Sequence, residues 1–251
     1  MVSVYTGPLK QYIIESSGTP THSFIFLHGY DCSGEENVAH CTSWFHANIT
    51  KYEGLRVICP DAFFLETSAP GYGDKRVRSW YDFYDGNCTS EDDKPDLDTL
   101  IISCAEIHAI INAEVEIIGC YSRILLGGVS QGCCAAFHAL TTFKQPIGGF
   151  YGSIGHIMPC TDISNLQAKV LGPIMFFSGS DDPVYPWSWV KNTFARLRGV
   201  PGVDLWREDG VEHEDDGHWI SIFLSRILPP PGISEQLSAY EEKDKKLQIK
   251  S

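Results

Sequence analysis

The chain has 251 residues, 43% of them hydrophobic, which is enough apolar material for one sizeable core. Its formal net charge of −13 would be repelled by a phosphate backbone, so we expect no nucleic-acid partner. It also has no Lys/Arg stripe suited to binding anionic lipid. Its apolar runs are too short to span a bilayer, and its first residues do not resemble a signal peptide, so we expect no integral membrane association.

Short apolar runs alternate with longer stretches of helical periodicity. The apolar runs are residues 12–14, 24–27, 55–59, 124–126, 174–177 and 203–206. Apolar residues recur at spacings of three and four over residues 97–115, 131–143, 187–198 and 218–228. Continuous short runs are typical of strands buried on both faces. The alternation therefore predicts an α/β fold, with a mostly parallel, doubly wound sheet and helices on both faces.

Two segments interrupt this pattern. Residues 60–96 are rich in proline, glycine and charge and predict a long irregular excursion, which in a compact domain is usually a lid, a binding loop or disordered. Three consecutive prolines at 229–231 end the last helical stretch. We therefore expect a single domain over residues 1–231 and a charged C-terminal appendage over residues 232–251.

The nine cysteines are irregularly spaced and include no Cys-x-x-Cys pair. This pattern predicts reduced, mostly buried thiols in a cytoplasmic protein rather than disulfides or structural zinc. No histidine and cysteine cluster has metal-ligand spacing, so no metal site is expected.

The most informative motif is Gly128-Val129-Ser130-Gln131-Gly132, which follows an apolar run and precedes a helical pattern. Gly-x-Ser-x-Gly in this strand–turn–helix context is typical of a nucleophile elbow, in which a strained turn presents the serine hydroxyl at a helix N-terminus. Ser130 is therefore the candidate nucleophile of an acyl-transfer reaction.

A serine nucleophile needs a histidine base and an orienting carboxylate, in the chain order Ser, Asp or Glu, His in α/β hydrolases. Asp181 and Asp182 both follow the apolar run at 174–177, and Asp182 is preferred because Pro183 fixes the loop backbone after it. His213 and His218 compete for the base, and His213 is preferred because it lies in a loop three residues beyond a glycine.

The oxyanion of a tetrahedral intermediate needs N–H donors. The backbone N–H of Gln131 supplies the first candidate. The backbone N–H of Tyr30 supplies the second, because the run Phe24–Leu27 leads into His28-Gly29-Tyr30, although a plain turn at the end of this strand would look the same.

With these segments in place, the chain resembles the acyl-protein thioesterase family, also described as the phospholipase/carboxylesterase family of the α/β-hydrolase superfamily. The matching pieces run in order over roughly residues 10–230, and Gly-Val-Ser-Gln-Gly is the most specific of them. They include Phe26-Leu27-His28-Gly29, Ser79-Trp80-Tyr81-Asp82, Asp182-Pro183-Val184-Tyr185-Pro186 and Gly210-Val211-Glu212-His213. The Asp-Pro-x-x-Pro piece places the acid on Asp182, and the Gly-x-x-His piece places the base on His213.

The resemblance implies an α/β hydrolase without a large cap domain, with no metal or organic cofactor. It implies substrates among S-acylated proteins, lysophospholipids and small carboxylic esters, and it places Trp80 near the substrate groove. One departure is the run Tyr30-Asp31-Cys32-Ser33-Gly34, where the family usually has Leu-Gly-Asp-Thr-Gly. A second is that the loop expected to cover the acyl chain is charged, with Asp74, Lys75, Arg76 and Arg78.

The expected function is hydrolysis of a carboxylic ester or thioester through an acyl-enzyme, first as an acyl-protein thioesterase that removes palmitoyl groups from proteins. A short-chain carboxylesterase or lysophospholipase is the alternative. The alternative from another class is a non-catalytic interaction protein that keeps the fold.

Overall fold

The computed structural model describes residues 2–6, 8–45, 52–68, 76–83 and 94–228. Eight strands form one sheet: β1 (Val2–Thr6), β2 (Lys10–Ile14), β3 (His22–Leu27), β4 (Leu55–Pro60), β7 (Ile124–Val129), β8 (Gly149–Ser153), β9 (Ile174–Gly179) and β10 (Val203–Glu208). Two shorter strands, β5 (Phe63–Glu66) and β6 (Arg76–Ser79), pair antiparallel to each other in a separate two-stranded sheet.

The strand order in the large sheet is β1-β2-β4-β3-β7-β8-β9-β10. The pairs that involve β2 are antiparallel, and every other pair is parallel. The predicted mostly parallel sheet is therefore confirmed. Since the carboxyl ends of parallel strands meet at one edge, the loops that follow β3, β7, β8, β9 and β10 share one end of the molecule.

The described helices are α1 (Gly34–Phe45), α2 (Leu97–Ile118), α3 (Gln131–Thr142), α4 (Trp187–Phe194) and α5 (His218–Ile227). The Asp96 side chain caps α2 by accepting a hydrogen bond from the Thr99 N–H at 2.9 Å, and Gly119 ends the helix at a φ of 91°. No helix in the described ranges is long and apolar enough to cross a membrane.

Two apolar cores lie on opposite faces of the sheet. Buried residues of α2, α3 and α4 form the first, and those of α1 and α5 form the second. Each core contains packed aromatic rings: Phe137, Phe150 and Phe176 contact one another in the first, and Phe223 contacts Phe24 and Tyr151 in the second. The prediction of helices on both faces is thus confirmed.

The expectation that residues 60–96 are irregular throughout is wrong. Within this stretch, β5 and β6 pair in register from Phe63 with Ser79 to Glu66 with Arg76. The hydrophobic pattern of the sequence did not predict these strands, because each has only four residues and arginines interrupt the apolar pattern of β6. Residues 69–75 and 84–93 of this stretch lie outside the described residues, as does the predicted appendage at 232–251.

Candidate active site

Ser130 lies at the turn between β7 and α3. Its backbone has a φ of 55° and a ψ of −125°, which is a strained conformation for a residue with a side chain. The Ser130 N–H donates to the Ser153 carbonyl at 2.9 Å, and the Ser130 carbonyl accepts from the Cys133 N–H at 3.0 Å. The turn is thereby held between β8 and the first turn of α3.

The two glycines of the motif allow this turn by close backbone contact. A Cβ on Gly132 would lie 2.3 Å from the His28 carbonyl oxygen, and one on Gly128 would lie 2.5 Å from the Gly132 carbonyl. Only glycine fits such contacts, because the opposing atoms are backbone and cannot turn away. The helix and the strand can therefore approach closely enough for Ser130 to stand clear of both.

Ser130, His213 and Asp182 are joined in a hydrogen-bonded chain. The Ser130 Oγ lies 2.8 Å from His213 Nε2, and His213 Nδ1 lies 2.7 Å from Asp182 Oδ2. The other carboxylate oxygen, Oδ1, accepts from the N–H groups of Val184 and Tyr185, each at 2.8 Å. The carboxylate is 4% exposed and held from both sides, so it can fix the imidazole in the tautomer that carries the proton on Nδ1.

The competing residues lie elsewhere. Asp181 is exposed and accepts a hydrogen bond from the Ser180 hydroxyl. His218 is exposed at the start of α5, where its ring packs against Trp219. Of the two pairs, the structure therefore places His213 in contact with Ser130 and Asp182 in contact with His213.

The loop after β3 lies directly beside the nucleophile. A Cβ on Gly29 would lie 3.4 Å from the Ser130 Cβ, so the backbone of Gly29 and Tyr30 passes next to the reacting hydroxyl. The N–H of Asp31, the next residue, donates to the Arg78 carbonyl at 2.9 Å and ties this loop to β6. Gln131 is the first residue of α3, where backbone N–H groups have no partner within the helix.

Backbone strain gathers around these loops. Among the described residues, the non-glycine residues with positive φ are Asp31, Ser130 and Ile154. They follow β3, β7 and β8, so all three lie at the edge that carries Ser130. Strained backbone of this kind persists where the surrounding contacts fix it, and it is concentrated at functional sites.

Residues 79–81 are anchored by the Gln131 side chain. Its Oε1 accepts the Trp80 N–H at 3.0 Å, and its Nε2 donates to the Tyr81 carbonyl at 3.0 Å. Ser79 Oγ lies 2.9 Å from the same Nε2. The side chain is only 1% exposed, so this amide makes its contacts out of reach of water.

Trp80, which the resemblance places near the substrate groove, is 0% exposed. Its indole N–H donates to the His28 carbonyl at 2.8 Å, and its ring packs against the His28 imidazole, with the ring centres 5.2 Å apart. A buried indole needs a partner for its N–H, and the loop carbonyl provides one, so Trp80 supports the loop after β3. A contact between Trp80 and substrate stays a prediction.

His28 is a structural member of the same loop. Its Nδ1–H donates to the Gly29 carbonyl at 2.6 Å, and its Nε2 accepts the Ala62 N–H at 2.9 Å. Burial lowers the pKa of His28 to about 4, which keeps the ring neutral near pH 7. The sequence placed His28 in a family-matching segment but did not predict this structural role, because the role depends on Ala62, which is distant in the chain.

Within the described ranges, no group of three or more His, Cys, Asp or Glu side chains is arranged to hold a metal ion.

Residues 9–222 match the model of the phospholipase/carboxylesterase family. The chain is 26% identical over 183 residues to acyl-protein thioesterase 1 of Schizosaccharomyces pombe, an alignment covering 72% of this chain and 77% of the relative. It is 25% identical over 236 residues to acyl-protein thioesterase 1 of Gibberella zeae, covering 90% and 98%. Lysophospholipase-like protein 1 of Mus musculus is 25% identical, covering 76% and 79%.

Solved structures are similar in fold. The crystal structure of Zea mays acyl-protein thioesterase 2 superposes with a TM-score of 0.70 at 18% identity, covering 87% of this chain and 98% of that one. Arabidopsis thaliana SOBER1 superposes with a TM-score of 0.68 at 18% identity, covering 82% and 97%. These neighbours show an α/β-hydrolase fold, as predicted. Because the family model spans most of the sequence, the chain belongs to the phospholipase/carboxylesterase family of hydrolases.

Proposed function

We propose that this protein is a serine hydrolase that cleaves carboxylic ester or thioester bonds, with Ser130 as nucleophile, His213 as base and Asp182 as the orienting acid. The observation that carries the proposal is the chain of contacts from Ser130 Oγ to His213 at 2.8 Å and from His213 to Asp182 at 2.7 Å. The first distance suits proton transfer from the Ser130 hydroxyl to the imidazole, and the second suits a carboxylate that orients the imidazole and stabilises its charged form.

In the proposed reaction, Ser130 Oγ attacks the substrate carbonyl carbon while its proton passes to His213 Nε2. The oxyanion accepts hydrogen bonds from the backbone N–H groups of Tyr30 and Gln131, and the N-terminus of α3 favours the developing negative charge. As the bond from the carbonyl carbon to the leaving sulfur or oxygen breaks, the imidazolium gives its proton to that atom; the thiol or alcohol departs and the acyl group stays on Ser130. Water attacks this acyl-enzyme by the same route and releases the acid.

The first candidate substrate class is the S-acylated protein. Its support is the family membership and the relatives named acyl-protein thioesterase at 25–26% identity. A cytoplasmic location fits such a role, and it is supported by the cysteines whose side chains the structure describes, none of which forms a disulfide.

A second candidate is hydrolysis of short-chain esters, favoured by the charge near the loop after β3. Arg78 makes an ion pair with Asp61 at 2.9 Å and stacks on Phe64, with the guanidinium carbon 4.3 Å from the ring centre. Asp61 is 2% exposed, and the Arg78 carbonyl accepts a hydrogen bond from the Asp31 N–H, so the charge pair lies beside the loop after β3. Charge beside this loop suits short acyl groups better than long apolar chains.

The proposal is tested with nitrophenyl esters and acyl thioesters of increasing chain length. We expect turnover of both bond types by the wild type and none above background by the Ser130→Ala variant. A rise in kcat/KM toward palmitoyl thioesters would support depalmitoylation, whereas an optimum at acetyl or butyryl without thioesterase activity would favour the short-chain alternative. A folded wild type inactive on every substrate would favour the non-catalytic interaction protein.

A further inference from the structure

The loop that carries His213 spans residues 209–217 between β10 and α5, and its two halves are fastened differently. Before His213, the Ser180 N–H donates to the Glu208 carbonyl at 2.9 Å, and the Asp181 N–H donates to the Val211 carbonyl at 3.0 Å. These bonds join the first half of the loop to the segment that carries Asp182. The second half is fastened by the side chain of Asp215.

Asp215 reaches from the loop to the end of β8. Its Oδ2 accepts hydrogen bonds from the Tyr151 hydroxyl at 2.6 Å and from the Ser153 hydroxyl, and its Oδ1 accepts the Gly217 N–H at 2.8 Å. Tyr151 and Ser153 are both 0% exposed. The carboxylate therefore has hydrogen-bond donors on both oxygens, which is the condition under which a buried acid is tolerated.

Burial distinguishes Asp215 from the other acids of its loop. Asp209, Glu212, Glu214 and Asp216 are exposed, whereas Asp215 is 8% exposed. Burial raises the pKa of Asp215, and burial together with the nearby carboxylate raises the pKa of Tyr151. Of the five acids in this loop, one is thus directed inward to a set of hydrogen-bond donors.

Ser153 links this contact to the nucleophile. Its hydroxyl donates to Asp215, while its carbonyl accepts the Ser130 N–H at 2.9 Å. One residue at the end of β8 thus touches the backbone of the nucleophile and the loop of the base. The backbone of Ser130 and the loop that carries His213 therefore contact the same residue.

We infer that Asp215 is a positioning residue, which holds His213 at its working distance from Ser130 by tying the second half of the loop to β8. This inference rests on the proposed function. Asp215 does not act as a second partner of the imidazole, because His213 Nδ1 is engaged by Asp182 and both oxygens of Asp215 are engaged by other donors. Its influence passes through the loop.

Asp215→Asn keeps the shape of the side chain but replaces one acceptor oxygen with a donor NH2. At least one of the present donors then faces another donor, and the loop loses part of its attachment. A displacement of about 1 Å at reacting groups can lower a rate by roughly 100-fold. We expect kcat to fall by about 10- to 100-fold and KM to change by less than about threefold, because the change affects alignment more than binding.

The matched control is Glu114→Gln. Glu114 is also a buried carboxylate, 3% exposed, and it accepts hydrogen bonds from Ser23 and Arg56. It lies late in α2 against the start of β3, at the opposite edge of the sheet from Ser130. The control therefore removes a buried charge without touching the catalytic loops.

The experiment measures kcat and KM for 4-nitrophenyl acetate, thermal melting, and the NMR signal of the His213 Nδ1 proton in the wild type, Asp215→Asn, Ser153→Ala and Glu114→Gln. We expect Asp215→Asn to remain folded, to lose at least tenfold in kcat and to shift the Nδ1 proton signal. Ser153→Ala removes one of the donors, so we expect a loss of several-fold in kcat. Glu114→Gln should keep the wild-type kcat and proton signal.

A folded Asp215→Asn with a kcat within threefold of the wild type would overturn the inference, as would an equal loss of kcat in Glu114→Gln. If Asp215→Asn does not fold, Ser153→Ala decides, and an unchanged kcat and proton signal there would overturn it. A wild type that neither hydrolyses the ester nor reacts with a fluorophosphonate would refute the proposed function itself, and the inference with it.

Discussion

Gln131→Met should destabilise the protein because the Gln131 amide fastens residues 79–81 from within the core. Methionine has a similar volume, so the change removes hydrogen bonds without leaving a large cavity. The Trp80 N–H, now bonded to Oε1 at 3.0 Å, would be left without that acceptor. The Tyr81 carbonyl would lose the bond from Nε2 but keep the one from the Ser79 hydroxyl at 2.6 Å.

A buried N–H donor left without an acceptor lowers the free energy of unfolding by about 1–3 kcal/mol, and the loss of a hydrogen bond lowers it by about 0.5–1.5 kcal/mol. The free energy of unfolding should therefore fall by about 2–4 kcal/mol. For a domain of this size, about 2–4 °C per kcal/mol converts this to a fall in melting temperature of about 5–15 °C.

The assay is thermal and urea unfolding of the wild type, Gln131→Met and the control Gln167→Met, which changes an exposed glutamine of the same type. The control should stay within about 0.5 kcal/mol of the wild type. A Gln131→Met protein that melts within about 2 °C of the wild type would refute the reasoning, because it would show that the buried amide bonds contribute little.

Three further perturbations test the loops around Ser130. Gly132→Ala places a Cβ 2.3 Å from a backbone oxygen, so the free energy of unfolding in urea should fall by about 2 kcal/mol or more. The control Gly18→Ala should be nearly neutral, because the nearest atom there is a flexible side-chain atom at 3.4 Å. Equal effects of the two substitutions would contradict the packing described. The pKa of His28 is about 4 in the folded protein and near 6.5 in the unfolded chain. Between these pH values the unfolded state binds one more proton, so the free energy of unfolding should fall by up to about 3 kcal/mol as the pH drops from 6.5 to 4. An NMR titration that found His28 protonating near pH 6.5 in the folded protein would contradict this. Asp182→Asn should lower kcat by about 10³- to 10⁴-fold with little change in melting temperature, and an active variant would remove Asp182 from its proposed role.

The sequence was sufficient to predict the parallel sheet and four of the helices because their apolar patterns are continuous. It was insufficient for β8, whose five residues include two glycines. A Cβ on Gly152 would lie 2.5 Å from the Cys133 sulfur, so this glycine is needed for the close packing of α3 against the strand. From residue propensities alone, a glycine at this position indicates a turn and not a strand. Helix α1 was also missed, since exposed polar residues interrupt its pattern.

The candidate site, like the fold, could be predicted from the sequence only in part. Ser130, Asp182 and His213 could be chosen because motif context and chain order restrict them. The roles of the Asp215 and Gln131 side chains could not be predicted, because each is defined by partners far away in the chain: Tyr151 and Ser153 for the first, and residues 79–81 for the second. The sequence does not show which of several acidic residues in a loop will be buried in the folded protein.

The central claim, that Ser130 is an activated nucleophile, is tested most directly by fluorophosphonate labelling followed by intact-mass and peptide mass spectrometry. The control Ser164→Ala changes an exposed serine far along the chain from the motif. The account predicts one covalent adduct on Ser130 in the wild type and in Ser164→Ala, no adduct in Ser130→Ala, and much slower labelling in His213→Ala. A folded wild type that stays unlabelled, or an adduct that persists in Ser130→Ala, would contradict it.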